Sequence, residues 1–572
     1  MFHDPTERAR ELCRQLKPLI GEQADRIWMA YLAENEDGRQ QIIDYLELKA
    51  SSQFHGSLGS QGPGLVPPEP QEAAGEYVLG DVVYNGKTLC PFGLRESEWI
   101  QHAAVFGRSG AGKTNLSFIM VREILKKGKP VLIFDWKRNY RDLLSIPGFE
   151  KMAVYTIGRS TSPFSFNPLV PPRETNARTW LKKIVAIMAY SFMLGDGVMF
   201  LLSEAIDKVY ADAGVYDGTV KTWPTFRDVL HVLRERKTVG REAGWLASAL
   251  RAVSNLCFGD MDRLLNEGHD DLETLINRPV ILELDGLTTT DKTFFIQSVM
   301  LWLYHYRMVE ADREQFKSAV LLEEAHNVLG SRTSLVGDMS LMEVIQREIR
   351  ELGTALWLVD QMPSSLPLSV LANTHTNIVF SLKTRADMGA VAQTLLLPED
   401  AKSAPAELQV GEAIVRLQGR LNKAFTIRVP EFHIKKGSYT DAMVTRHMMD
   451  LGLLSARRQA KEAPQAPLSA EPEAPDIEQL FLTDIARFPN SGIAERYRRL
   501  GLTVRLGQKL KAYFIEKGLI QEHIQTTPQG RLRVIRLTEE GKLQLPEQVS
   551  DRPGTQDDGQ SSTSFTTTVG VL

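Results

Sequence analysis

Eight residues, Gly107-Arg108-Ser109-Gly110-Ala111-Gly112-Lys113-Thr114, constrain this chain more than any other stretch. They follow an apolar run, Ala103 to Phe106, and precede an amphipathic helical pattern, so they read as the turn from a buried strand into a helix. Glycines let the backbone curl until several N–H groups face one phosphate, and the helix N-terminus adds positive potential there. The spacing predicts a nucleoside triphosphate, ATP, with Lys113 neutralising the outer phosphates and Thr114 ligating Mg2+. Asn115 follows on the first turn and joins the expected nucleotide contacts.

A second motif, Ala319-Val-Leu-Leu-Glu-Glu-Ala-His326, is a buried strand ending in two carboxylates. Strand alternation sends neighbouring side chains in different directions. Glu323 is therefore expected to hold the magnesium shell and Glu324 to polarise a water; a solvated acidic strand end is the alternative. Asp135 ends the run Val131 to Phe134, and Gln361 lies just beyond Ala355 to Val359. Ligands of open parallel sheets gather at the carboxyl ends of strands, so these strand ends and the loop point to one crevice. Arg347 and Arg350 lie one turn apart on a helical pattern feeding the Gln361 strand. They read as guanidinium fingers for a phosphoryl-transfer site, or as a surface face balanced by Glu348 and Glu351.

The short, flat apolar runs alternate with helical patterns from about Tyr77 to Phe432, which predicts an α/β fold with a mainly parallel sheet covered by helices. Residues 171–278 lack strand runs and read as a mainly helical insertion. Ahead of this domain, residues 1–50 carry helical spacing and residues 51–76 are a Ser, Gly and Pro-rich linker. Behind it, residues 433–475 read as a helix and a Pro/Ala-rich linker, and residues 546–572 as a disordered tail. With 572 residues, 43% hydrophobic and 24% charged, a folded multidomain chain is expected. Cys13, Cys90 and Cys257 fit neither a disulfide framework nor zinc spacing, and no export signal opens the chain, so a cytoplasmic location is expected. The apolar stretch Ile184 to Leu202 is interrupted by Gly195-Asp196-Gly197 and reads as two buried helices with a turn, not a membrane span.

Residues 476–545 read as three helices and a hairpin, with Ser491 and Thr503 as caps and the turn at Pro528-Gln529-Gly530. The third helix is read as running to Lys517, and the pattern resembles a winged helix. Against a net charge of −4 for the whole chain, twelve Lys and Arg face eight Asp and Glu here, a net +4. Arg505, Lys509, Lys511, Arg531 and Arg533 are the candidate DNA contacts, with protein docking as the alternative.

Taken together, the motifs resemble the HerA/FtsK superfamily of ring-forming ATPases, HerA-like proteins in particular, over roughly Tyr77 to Phe432. The likeness rests on Leu79-Gly80, His102, Phe134-Asp135 with Lys137 and Tyr140, and Phe166-Asn167-Pro168-Leu169. It continues through Glu323-Glu324-Ala325-His326, Arg347-Glu348 with Arg350 and Gly353, Gln361 with Pro363, and Gly411-Glu412-Ala413 before Val429-Pro430. The resemblance implies a RecA-like core and a hexameric ring with double-stranded DNA in its pore. It also implies Glu324 as catalytic base, Gln361 as sensor of the terminal phosphate and Arg350 acting in trans. It departs from the family at Gln101, where relatives carry arginine, and at Met362, where the usual order is Gln-Arg-Pro. A β-barrel common at the start of relatives is replaced by helical spacing. The expected function is an ATP-driven DNA translocase or helicase-like motor in repair, DNA processing or anti-phage defence, with a nuclease or other effector partner. An ATP-dependent assembly scaffold and a conjugation coupling ATPase are the alternatives.

Overall fold

A computed structural model of the 572-residue chain describes residues 4–54, 65–330, 340–454, 477–500, 502, 504–527 and 530–544. Two compact units, Met1–Ala463 and Pro464–Leu572, divide it.

The first unit is built on an eleven-stranded sheet in the order β2-β1-β11-β10-β9-β3-β8-β7-β4-β6-β5. The strands are β1 Tyr77–Tyr84, β2 Lys87–Leu94, β3 Ala103–Phe106, β4 Val131–Asp135, β5 Ala153–Thr156 and β6 Val280–Glu283. They continue with β7 Ser318–Glu323, β8 Thr354–Asp360, β9 Thr376–Val379, β10 Glu412–Leu417 and β11 Leu421–Arg428. From β9 to β5 every pairing is parallel, and β10, β11, β1 and β2 extend the sheet antiparallel. The flat apolar runs Ala103 to Phe106, Val131 to Phe134, Val280 to Leu284, Ala319 to Leu322 and Ala355 to Val359 fall on β3, β4, β6, β7 and β8, each strand buried along its whole length, as strands covered on both faces must be. Helices Lys113–Lys126 and Thr289–Val309 supply much of that cover; the second is buried on nearly every face.

Residues 177–276 of the insertion are helical in six segments. The apolar stretch at Ile184 falls on helices Ala177–Phe192 and Asp196–Asp212, with Met193 left-handed (φ 53°) at the turn. Among the described residues no helix is long and apolar enough to cross a membrane. The N-terminal helices Pro5–Ile20, Glu22–Ala33 and Glu36–Phe54 close over a small core of their own around Leu12, Leu16, Tyr31 and Leu46. The third helix runs to Phe54, into the stretch read as linker, because Ser51 to Gln53 carry no helix breaker. Residues 55–64, the linker over 455–476 and the tail beyond 544 lie outside the described residues.

In the second unit, helices Ile477–Arg487, Ile493–Arg499 and Val504–Glu516 precede the antiparallel hairpin β12 Ile520–Thr527 and β13 Gly530–Leu537, and helix Glu539–Leu543 closes it. The third helix ends at Glu516, one residue short of Lys517. Gly492, not Ser491, is the N-cap of the second helix, and the Ser491 hydroxyl donates to Glu495 Oε2 (3.1 Å). Thr503 and the turn residues Pro528 and Gln529 lie outside the described residues. Phe481, Ile485, Tyr497, Phe514 and Ile535 form the core. Arg496, 0% exposed, is matched there by Asp484, which also accepts from Arg499 Nε at 2.7 Å. Removing one partner of a buried pair strands the other charge at a cost of about 3–5 kcal/mol. In the full chain, Asp484→Ala is expected to raise amide hydrogen exchange in Ile477–Arg487 and Ile493–Arg499 by roughly a hundredfold or more, leaving β3, β7 and β8 unchanged. Unaltered protection would show the pair to be dispensable.

Candidate nucleotide site

Register aligns the site. Phe106 pairs with Asp360, Glu323 with Val359, Phe134 with Leu322 and Asp135 with Glu283, so the carboxyl ends of β3, β8, β7, β4 and β6 finish along one edge. A cleft of about 810 Å3 opens there.

The loop after β3 bends as a glycine-rich curl must. Gly107 (φ 155°), Gly110 (φ 76°) and Gly112 (φ 123°) occupy backbone regions that L side chains avoid, and a Cβ on Gly112 would stand 2.9 Å from the Phe380 ring. Helix Lys113–Lys126 begins with no side-chain cap and no acidic residue in its first turn. Its amide dipoles are thus left uncompensated toward the cleft, which suits an anion. Ser109, Gly110, Gly112, Lys113 and Thr114 line the cleft, whereas Gly107, Arg108 and Ala111 do not. Arg108 N–H donates to Ser381 O (2.8 Å), and Arg108 Nε to Ser381 Oγ (3.4 Å). Lys113 Nζ donates to the carbonyls of Gly107 (2.5 Å) and Arg108 (3.1 Å). Burial draws its ammonium down to about 8, against the pull of Glu324, Asp360 and Glu323.

The two acids of β7 part company as alternation requires. Glu323, buried, accepts from the Tyr140 hydroxyl (3.2 Å). Burial first, then the charge of Asp135, pushes its carboxyl upward. Glu324 sits at φ 49°, a conformation that costs a non-glycine residue about 1–3 kcal/mol and that clusters at functional sites. Its Oε1 accepts from Gln361 Nε2 (2.7 Å) and Lys137 Nζ (2.5 Å). Glu323, Thr114 and the loop face the same cleft, an oxygen-rich corner of the kind Mg2+ favours beside a phosphate.

Two residues expected at the nucleotide have other partners. Asp135, 0% exposed, does not line the cleft: Oδ1 accepts from the N–H groups of Lys137 (3.2 Å) and Asn139 (2.9 Å), and Oδ2 from that of Tyr140 (2.9 Å). Asn115 lines the cleft, but its amide is committed to the backbone beyond β11, donating to Pro430 O (2.8 Å) and accepting from Phe432 N–H (2.7 Å). Arg347 and Arg350 do not line the cleft of their own chain. The helix Leu341–Glu348 stops before Arg350, which lies in the following turn. Glu348 accepts from the Tyr304 hydroxyl.

Several contributors carry no periodic signal. Asp360, the buried end of β8, accepts from His326 N–H (2.6 Å), His326 Nδ1 (3.0 Å) and Met362 N–H (2.8 Å), while its carbonyl accepts from Gly107 N–H (3.3 Å). Its position just before Gln361 was the available clue. Asp142 anchors the segment that brings Lys436 to the cleft, accepting from the N–H groups of Gly437 (2.7 Å) and Tyr439 (2.9 Å). His102 joins three elements. Its Nδ1 accepts from Leu356 N–H of β8 (3.0 Å), its Nε2 donates to Gln346 O (2.5 Å), and its carbonyl accepts from His375 N–H (2.9 Å).

Residues 77–301 match the family described as "Helicase HerA, central domain". The chain is similar to the DNA double-strand break repair helicase HerA of Saccharolobus solfataricus, with 22% identity over 56% of this chain and 63% of that protein. It is also similar to the probable helicase MJ1565 of Methanocaldococcus jannaschii, at 21% over 55% and 60%. The chain thus spans under two thirds of either relative. Among solved structures, VirB4 of Thermoanaerobacter pseudethanolicus gives a TM-score of 0.49 at 15% identity, covering 63% of this chain and 97% of that one.

Two measurements probe this geometry. Gly112→Ala, with a strained φ and a Cβ against Phe380, is expected to weaken Mg-ATP binding at least about tenfold in calorimetry with circular dichroism unchanged. Binding at the parent affinity would contradict the crowding. Burial pushes His102 down to about 4, so the unfolded chain takes up a proton there first. That contribution to stability is complete above pH about 6.5 and is lost as pH falls toward 4, about 3 kcal/mol in all. In urea denaturation between pH 7.5 and 5, His102→Gln should show a smaller acid-induced loss than the parent; identical slopes would count against a neutral imidazole.

By its phosphate loop and its match over residues 77–301, the central domain of this chain is similar to that of the HerA-type P-loop ATPases.

Proposed function

We propose that this chain hydrolyses ATP with Mg2+ and, as a ring-shaped oligomer, uses the turnover to move double-stranded DNA. The observation that carries the reading is the convergence, on one sheet edge, of an uncapped helix N-terminus, Lys113, the Glu323–Glu324 pair and Gln361. Thr114 and Glu323 would hold the metal, which supplies charge neutralisation between phosphates when bound. Glu324 accepts a proton from the attacking water, and Gln361 orients that carboxylate while facing the terminal phosphate. Arg350 reaches the neighbouring subunit's site. Supporting this, it does not line its own cleft, and its guanidinium has no ion-pair partner among the described residues.

DNA as the moved substrate rests on the names of the relatives, a DNA double-strand break repair helicase and a probable helicase. A hexameric state and a nuclease or other effector partner belong to the same reading. In the C-terminal unit, read as a winged helix, Lys509 and Arg533 are exposed and would meet phosphates; Lys511 is partly occupied by Glu522 (3.4 Å). The side chains of Arg505 and Arg531 lie outside the described residues. Exposed Leu480, Phe488, Tyr513 and Ile524 favour a second reading of that unit as a protein-docking module.

Turnover should rise when duplex DNA is added, and Glu324→Gln should lose at least about a hundredfold in hydrolysis while retaining ATP. Turnover indifferent to DNA of every length would sink the motor. Mass photometry with ATP and DNA gives the subunit count. DNA affinity that is unchanged by Lys509→Glu/Arg533→Glu would leave the C-terminal unit to protein docking.

A further inference from the structure

Of all the polar groups at the cleft, Lys137 has the geometry least explained by nucleotide binding alone. It stands on the turn after β4, half exposed (53%), with its Nζ 2.5 Å from Glu324 Oε1. Gln361 Nε2 reaches the same oxygen at 2.7 Å from the opposite strand end. Both donors thus converge on Oε1. The nearest charged partner of Oε2 is His326 Nδ1 at 3.9 Å, beyond hydrogen-bond distance, and that imidazole is already held by Asp360. Among the described residues, two donors occupy one carboxylate oxygen and the other is left as an acceptor.

Lys137 is placed there by the rest of its turn. The three N–H bonds to the Asp135 carboxylate fold residues 136–140 back over the end of β4, with Arg138 forced to φ 61°. That curl delivers two side chains three residues apart, Lys137 to Glu324 and Tyr140 to Glu323. Burying Asp135 completely is costly, and three backbone donors offset that cost only by fixing the turn. A solvated surface lysine would need no such support.

From this arrangement we infer that Lys137 is a positioning residue for hydrolysis. It pins Glu324 Oε1 together with Gln361, so that Oε2 faces the cleft as the acceptor of the water's proton, and Asp135 serves by shaping the turn that aims it. The inference rests on the reading of Glu324 as the group that takes that proton. No new bond or co-reactant is involved; Lys137 remains an ammonium throughout and acts only through Glu324. Its contact with Glu324 distinguishes it from Lys113, which is tied to the loop carbonyls.

The test is a split between binding and turnover in the full chain. Lys137→Met is expected to lower kcat at least about tenfold, the scale of orientation effects, while the Kd for Mg-ATP measured by calorimetry stays within about threefold. Lys137→Arg, which keeps a donor at the end of a long stem, should recover part of the lost kcat. A Lys137→Met chain that turns over at the parent rate overturns the inference, as does one whose ATP affinity falls in step with kcat, since Lys137 would then be a phosphate ligand. Thermal melting of each variant separates these outcomes from misfolding, and a melted Lys137→Met leaves Lys137→Gln as the replacement. Failure of the parent chain itself to hydrolyse ATP would instead remove the proposed function.

Discussion

Parallel pairing in strict register is the constraint from which the site follows. Because Phe106 stands beside Asp360, and Glu323 beside Val359, three loops leave neighbouring strands at one edge of the sheet and in the same direction. A one-residue slip of β8 would turn Asp360 to the other face and remove both the hold on His326 and the carbonyl that accepts from Gly107. The cleft is thus a property of strand order, β3-β8-β7-β4, more than of any single loop.

That edge concentrates charge that a folded interior ordinarily excludes. Asp135, Glu283, Glu323 and Asp360 are all buried, and each is matched by a different device. Asp135 takes three backbone N–H groups, Glu283 a two-armed contact from Arg141, Glu323 the Tyr140 hydroxyl, and Asp360 the His326 imidazole and two amides. Burial drives the carboxyls of Asp135, Glu283 and Glu323 upward, and only Glu323 of these three lines the cleft. A cation arriving at Glu323 would relieve part of that cost, which ties the energetic weakness of the edge to its use.

The smaller cores make a different point. The N-terminal helices and the C-terminal helix-and-hairpin unit each enclose their own apolar cluster. In the C-terminal unit the buried Arg496–Asp484 pair adds specificity to a core of about ten side chains, fixing the second helix against the first.

The amino-acid order alone determined the phosphate curl, the acidic pair at the end of β7 and the five flat apolar runs, because each is a local pattern whose chemistry depends on residues adjacent in the chain. The same is true of the two helices at Ile184, interrupted by Gly195 and Asp196. The antiparallel strands β10, β11, β1 and β2 were not legible: β1, β2 and β11 mix buried and exposed positions, and the largely buried β10 carries Glu412 and Arg416 among its apolar residues. Nor were the backbone partners of Asp135 and Asn115, whose side chains look alike whether they face a ligand or a backbone N–H. Only the tertiary structure decided that Lys137 and Gln361 meet on one oxygen of Glu324, for 187 residues separate the first pair and 37 the second. Long-range convergence of that kind leaves no periodicity in the chain; it exists only once the strands are laid side by side.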